Sequence, residues 1–208
     1  MPIAFDAFGT LFNLEALREQ TGDELYEAFF ARLQPWTWLA TAADAYLPLP
    51  ELAEAAFQSA GEELGVEVDA AALAGKLTEL PLFPEVDAAL NLLGRERLAV
   101  LSNGTADGLE QLLTNAGIRD HFEHVLAADS VARFKPAPEV YALAPRAFGV
   151  PAAEVTLVSA NSWDAAGAKL AGLRSIWVSR GRPAASVLGL KPDEIVDDLA
   201  ALTFVGRA

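Results

Sequence analysis

Residues 98–116 read LAVLSNGTADGLEQLLTNA. Leu98–Leu101 is a continuous apolar run, as expected of a strand covered on both faces. A polar Ser-Asn-Gly-Thr turn follows, and Asp107–Ala116 then carries a helical pattern. The same order recurs downstream. His124–Ala127, Glu154–Ser159 and Ser175–Ser179 are short apolar or β-rich runs, with helical patterns at Glu139–Phe148 and Asp164–Leu170 between them. Ile3–Phe5 is a fifth run, near the start of the chain. Strands that alternate with helices form a parallel sheet covered on both faces, so the fold class is α/β, Rossmann-like and doubly wound.

The alternation stops between residues 13 and 80. Leu14–Gln34 places Leu14, Leu17, Leu25, Phe29 and Leu33 among charged residues as one helix, which Pro35 is expected to end. Glu51–Leu64 and Asp69–Leu80 read as two more helices. The expected organisation is a core domain of residues 1–12 and 81–208, interrupted by an all-helical cap domain of residues 13–80 over the carboxyl edge of the sheet.

Composition narrows the function. The 208 residues are 52% hydrophobic and include no cysteine and two histidines, which excludes a disordered chain, a disulfide scaffold and the usual zinc or iron–sulfur sites. Fifteen basic residues against 29 acidic ones give a net charge of −14, hostile to nucleic acid and to anionic membrane surfaces. No apolar run approaches the ~20 residues of a membrane span, and MPIAFDAFGT does not read as a signal peptide, so a cytoplasmic location is expected.

Ligands of open α/β sheets sit beyond the carboxyl ends of the strands. Four chain segments there are polar: Asp6 in FDAFGTLF, Ser102 and Asn103 in LSNGT, Lys135 in FKPAPEVY, and Ser159, Asn161 and Asp164 in VSANSWD. Each alone reads as turn or cap chemistry. Four together on one sheet point to a catalytic site.

This constellation resembles the haloacid dehalogenase superfamily, along essentially the whole chain. The resemblance implies a Rossmann-like core with an inserted cap. It makes Asp6 a covalent nucleophile supported by Thr10, Ser102 a substrate-orienting hydroxyl, and Lys135 the counter-charge of Asp6. Most of that superfamily uses Asp-x-Asp with magnesium for phosphoryl transfer. Here the second Asp is replaced by Phe8, which cannot act as general acid, and Asp6 and Asp164 are a thin magnesium set. The residues are instead similar to the L-2-haloacid dehalogenase branch: Asp6, Phe8, Gly9 and Thr10; Ser102, Asn103 and Gly104; Lys135, Pro136 and Tyr141; Ser159, Asn161, Trp163 and Asp164.

The resemblance implies a metal-independent, cofactor-free hydrolase that converts short 2-haloalkanoic acids to 2-hydroxy acids through an aspartyl ester, with inversion at C2. It assigns catalysis to Asp6, Thr10, Lys135, Ser159, Asn161 and Asp164, with Asn161 and Asp164 positioning water. Substrate contacts fall to Phe8, Ser102, Asn103, Gly104, Tyr141 and Trp163. The expected partners are the haloacid and the halide, with a homodimer supported by apolar cap segments such as Trp36–Leu39. In that branch a cap arginine draws off the halide; counting back from Trp36-Thr37-Trp38-Leu39 places Phe30 at its position. Arg18, Glu19 and Arg32 are the remaining cap candidates, although Arg32 lies about 200° around the helix from Phe30. A phosphomonoester phosphohydrolase and a non-catalytic binding protein are the alternatives.

Overall fold

A computed structural model describes residues 1–183 and 186–204. Among the described residues six parallel strands build one sheet: β1 (Pro2–Phe5), β2 (Arg97–Ser102), β3 (His124–Ala127), β4 (Thr156–Ser159), β5 (Arg174–Val178) and β6 (Glu194–Val196). Their spatial order is β3-β2-β1-β4-β5-β6. The order reverses between β1 and β4, where Phe5 pairs with Val158. The loops that leave those two strands therefore diverge and open the crevice in which doubly wound folds bind ligands. Five strands match the apolar runs. β6 was not expected: EIV is only three residues long and lies at the edge.

The helices in chain order are α1 (Glu15–Thr21), α2 (Asp23–Ala42), α3 (Leu49–Leu64), α4 (Ala70–Gly75), α5 (Val86–Leu92), α6 (Ala106–Asn115), α7 (Pro138–Tyr141), α8 (Leu143–Phe148) and α9 (Ser162–Leu170). Two departures from the expected helices have clear causes. The single helix expected over Leu14–Gln34 is two, because the chain breaks at Gly22, whose φ of 75° and ψ of 165° suit glycine. Pro35 does not end α2 but lies inside it. The missing Pro35 N–H costs one backbone bond, and burial of Leu33, Thr37 and Ala40 on either side of it keeps the helix running to Ala42. Tertiary packing outweighs the local penalty.

The helical insertion α1–α4 joins the sheet through two adjacent crossings. Asn13 N–H donates to the Pro81 carbonyl at 2.8 Å and Phe83 N–H to the Leu11 carbonyl at 3.0 Å. Phe29 stacks on Phe57 at 3.7 Å between ring centroids, fastening α2 to α3 inside the insertion. One buried cluster runs from Ile3 and Phe5 of the sheet through Leu11 and Leu17 to Phe57. Among the described residues no helix is long and apolar enough to cross a membrane.

Candidate active site

The site sits at the reversal point. Asp6 is the first residue beyond β1, and its N–H donates to Val158 O at 2.9 Å, so the ladder itself fixes the start of the loop. Its carboxylate is buried. Oδ2 accepts from Thr10 Oγ1 at 2.9 Å, Asn161 Nδ2 at 3.0 Å and Ser159 Oγ at 3.4 Å. Oδ1 accepts from Lys135 Nζ at 3.1 Å. Thr10 also accepts from Ala160 N–H at 2.8 Å, which ties the β1 loop to the β4 loop.

Lys135 lies between two carboxylates, donating also to Asp164 Oδ2 at 2.9 Å. Behind it, Tyr141 donates its hydroxyl to Asp164 Oδ1 at 2.7 Å. Tyr141, Lys135 and Asp164 are all fully buried. Burial pushes the Asp6 carboxyl above its ordinary value, opposed by the Lys135 charge. Burial acts to lower Lys135, but the attraction of Asp164 and Asp6 outweighs it and holds its ammonium proton more tightly than usual. Burial and the Asp164 charge raise the Tyr141 hydroxyl well above normal, so it remains a donor.

Over this charged floor lies a cavity of about 140 Å³. Asp6, Ser102, Asn103 and Asn161 form its polar side, while Phe8, Trp163 and cap residues Leu14, Phe30, Leu33, Leu49 and Leu77 form its apolar walls. Gln34 and Thr37 complete the cap side. Asn103 uses its Oδ1 to accept from Lys135 N–H at 2.7 Å, and Ser102 Oγ accepts from Gly104 N–H at 3.3 Å. Those bonds leave the Asn103 amide hydrogens and the Ser102 hydroxyl proton available to a ligand.

Several sequence expectations are corrected here. Tyr141 does not line the cavity but holds Asp164 from behind, and Asp164 itself lies beneath Lys135, out of the cavity. Water can be met by Asn161 but not directly by Asp164. Gly104 faces the adjoining space beside Phe8. None of the cap candidates reaches the site. Arg18 pairs with Glu15, Asp23 and Glu27 at the surface and covers the Tyr26 ring. Glu19 is exposed. Arg32 bonds Ser59 and Glu63 of α3, within the cap. Phe30, at the position counted for the arginine, does line the cavity. Trp36 and Trp38 do not line the cavity; Thr37 between them does, while Trp38 packs edge-on against Trp163 at 5.9 Å.

Two residues not singled out from the sequence support the site. Gly167 on α9 lies where a Cβ would come within 2.3 Å of the Tyr141 hydroxyl, so only glycine admits the Tyr141–Asp164 bond. Arg180 donates to Thr10 O and pairs with Glu85 at 2.9 Å, stacked on Phe83 where the insertion rejoins the core.

Magnesium prefers several carboxylate and water oxygens in an octahedral shell. Here an ammonium already joins the two carboxylates, so the donor set does not fit a bound magnesium ion. Among the described residues no three His, Cys, Asp or Glu side chains gather as a metal cage.

Asp6 with Phe8 two residues on, a lysine held between two aspartates, and Ser159, Asn161 and Asp164 from the end of β4 to the start of α9 are arranged around one crevice. The profile of the haloacid dehalogenase-like hydrolases matches residues 3–172. The chain belongs to that family. It is 32% identical over 212 aligned positions to an (S)-2-haloacid dehalogenase of Pseudomonas sp. (strain YL), covering 96% of this chain and 91% of the relative. Its fold superposes with a TM-score of 0.93 on L-2-haloacid dehalogenase from Xanthobacter autotrophicus with chloropropionic acid covalently bound. That match is 28% identical and covers 100% of this chain and 99% of the other. A phosphoserine phosphatase of Thermus thermophilus is 41% identical over 104 residues, covering 49% of this chain and 42% of the relative. A dehalogenase relative is thus matched along nearly the full chain, and a phosphatase relative along about half of it.

Proposed function

We propose that the protein hydrolyses the carbon–halogen bond of 2-haloalkanoic acids, without a metal, through an ester on Asp6. The observation that carries this reading is the pairing of a buried aspartate with a lysine clamped by a second acid, next to a phenylalanine where a phosphatase needs a general acid. A halide departs without a proton, so Phe8 does not impair that chemistry. An alkoxide leaving a phosphoryl group needs one.

Oδ2 of Asp6 is held by three donors and Oδ1 by one, so Oδ1 is the freer nucleophile. Its electron pair forms the bond to C2 from the side opposite the halogen, the C–X pair leaves with halide, and C2 inverts. Lys135 keeps Asp6 ionised against its burial. Ser102 and Asn103 take the substrate carboxylate, and Phe8 and Trp163 wall the rest of the pocket. Water, held at Asn161, then adds to Cγ of the ester. As negative charge grows on Oδ2, the hydroxyls of Thr10 and Ser159 and the amide of Asn161 stabilise it without rearrangement. One water proton passes to the departing C2 oxygen, giving the 2-hydroxy acid, and the other leaves from the restored Asp6 carboxyl. The 13–80 insertion acts as the cap domain that excludes solvent during both steps, over a core of residues 1–12 and 81–208.

The test is halide release from (S)-2-chloropropionate by the wild type and Asp6→Asn, with and without a chelator. Chelator-insensitive release that is lost in Asp6→Asn supports the reading. Metal-dependent phosphate release from a phosphomonoester, with no halide release, overturns it.

A further inference from the structure

A second cavity, of about 80 Å³, adjoins the first. It lies between the end of the cap (Ala74–Thr78), the start of α3 and the Gly104–Leu109 stretch that opens α6. Phe8, Leu49 and Leu77 belong to the walls of both cavities, so these three side chains stand between the reaction pocket and the second space. Glycine at 104 makes that wall possible, since a Cβ there would come within 3.0 Å of Leu109 and 3.5 Å of Phe8.

The chemistry of the second space is apolar. Of its two hydroxyls, Thr78 Oγ1 donates to Gly75 O at 2.9 Å, while Thr105 Oγ1 accepts from Gly108 N–H at 3.2 Å and keeps one proton to donate. No charged side chain lines it. A carboxylate, phosphate or sugar would exchange its hydration there for a single hydroxyl donor, whereas hydrocarbon would gain by leaving water. At the ~30 Å³ of a water-sized group, the space accommodates about three carbons.

We propose that this side cavity binds the alkyl tail of the substrate, so that the preferred substrates are 2-haloalkanoic acids extended beyond propionate, with C4 to about C6 lodged between the cap and α6. The proposal rests on the dehalogenase reading above and adds its chain-length preference. C2 stays over Asp6, the carboxylate stays at Ser102 and Asn103, and the tail runs past Phe8 and Leu77.

The test is kcat/KM for halide release from 2-chloropropionate, 2-chlorobutanoate and 2-chlorohexanoate. At ~0.8 kcal/mol per buried methylene, the wild type gains about fourfold for each carbon until the cavity is full. Gly75 is an exposed residue of the cavity lining with helical backbone angles (φ −58°, ψ −30°), and a Cβ there meets nothing within 4 Å. Gly75→Ala and Gly75→Leu therefore fold without strain while adding side chains of increasing size beside the cavity. The expected result is a hexanoate-to-propionate ratio of kcat/KM that falls stepwise from wild type to Ala to Leu, by tenfold or more at Leu. A flat or falling chain-length series in the wild type, or a ratio unmoved by Gly75→Leu, overturns the side-cavity assignment. If 2-chloropropionate is turned over in that case, the dehalogenase reading still stands. Absence of halide release from all three acids overturns both.

Discussion

Replacing Gly167 with alanine tests how the catalytic lysine is held. The added Cβ would meet the Tyr141 hydroxyl oxygen at 2.3 Å, Tyr141 Cζ at 2.8 Å and Pro136 Cβ at 2.9 Å. None of these is the loose end of a flexible chain: Tyr141 is fully buried and bonded to Asp164 at 2.7 Å. The substitution must therefore push the ring away and break that bond. Overpacking costs about 1–3 kcal/mol, and loss of a hydrogen bond to a charged acceptor adds about 1.5–3 kcal/mol. Gly167→Ala should thus cost about 2.5–6 kcal/mol, and Tyr141→Phe alone about 1.5–3 kcal/mol. Both remove the same bond, so the double variant should cost less than the sum of the two, by about 1.5–3 kcal/mol of coupling. Urea unfolding at constant m-value gives all three numbers. Turnover of both single variants should drop, because Asp164 then no longer fixes Lys135. A Gly167→Ala cost below 1 kcal/mol, or strict additivity in the cycle, would refute this account of α9.

Lys135→Met should leave Asp6 and Asp164 buried without their shared cation, destabilise the fold by about 3–5 kcal/mol and shift the acid limb of kcat/KM to higher pH. Burial already raises Asp6 in the wild type. Only the carboxylate is nucleophilic, so kcat/KM should fall as pH drops, with a midpoint above the ordinary carboxylate value of about 4; a midpoint at or below that value contradicts the burial argument. Phe30→Arg should supply the cap side of the cavity with a cation. A charge-assisted bond to departing halide, worth about 1.5–3 kcal/mol, should raise the rate of halide release by tenfold or more, measured in single turnover. An unchanged rate would show that the neutral cap wall does not limit that step.

The sheet was legible because buried parallel strands such as LAVL and VTLV are apolar throughout, and because each ends in polar residues at a fixed place in the pattern. Asp6, Lys135 and Asn161 were legible for the same reason: strand ends converge at the reversal point whatever the loops do. The cap was less so. Gly22 and Pro35 exchange their expected roles because α2 is held by burial of Leu33, Thr37 and Ala40 rather than by local preference. Phe30, Gln34 and Thr37 all face the cavity, but helix periodicity gives their common side and not what lies opposite it. Tyr141 and Gly167 form a pair across two helices, α7 and α9, a distance along the chain that no local pattern spans. Arg180 was not legible because its partners Thr10 and Glu85 lie 170 and 95 residues away along the chain.

The central claim is that the oxygen joined to C2 comes from Asp6 and is replaced there by water. A single turnover of excess enzyme with (S)-2-chloropropionate in H₂¹⁸O, followed by mass spectrometry of lactate and of the peptide that contains Asp6, tests it directly. The account predicts ¹⁸O in Asp6 and unlabelled lactate; ¹⁸O in the lactate with an unlabelled Asp6 would contradict it.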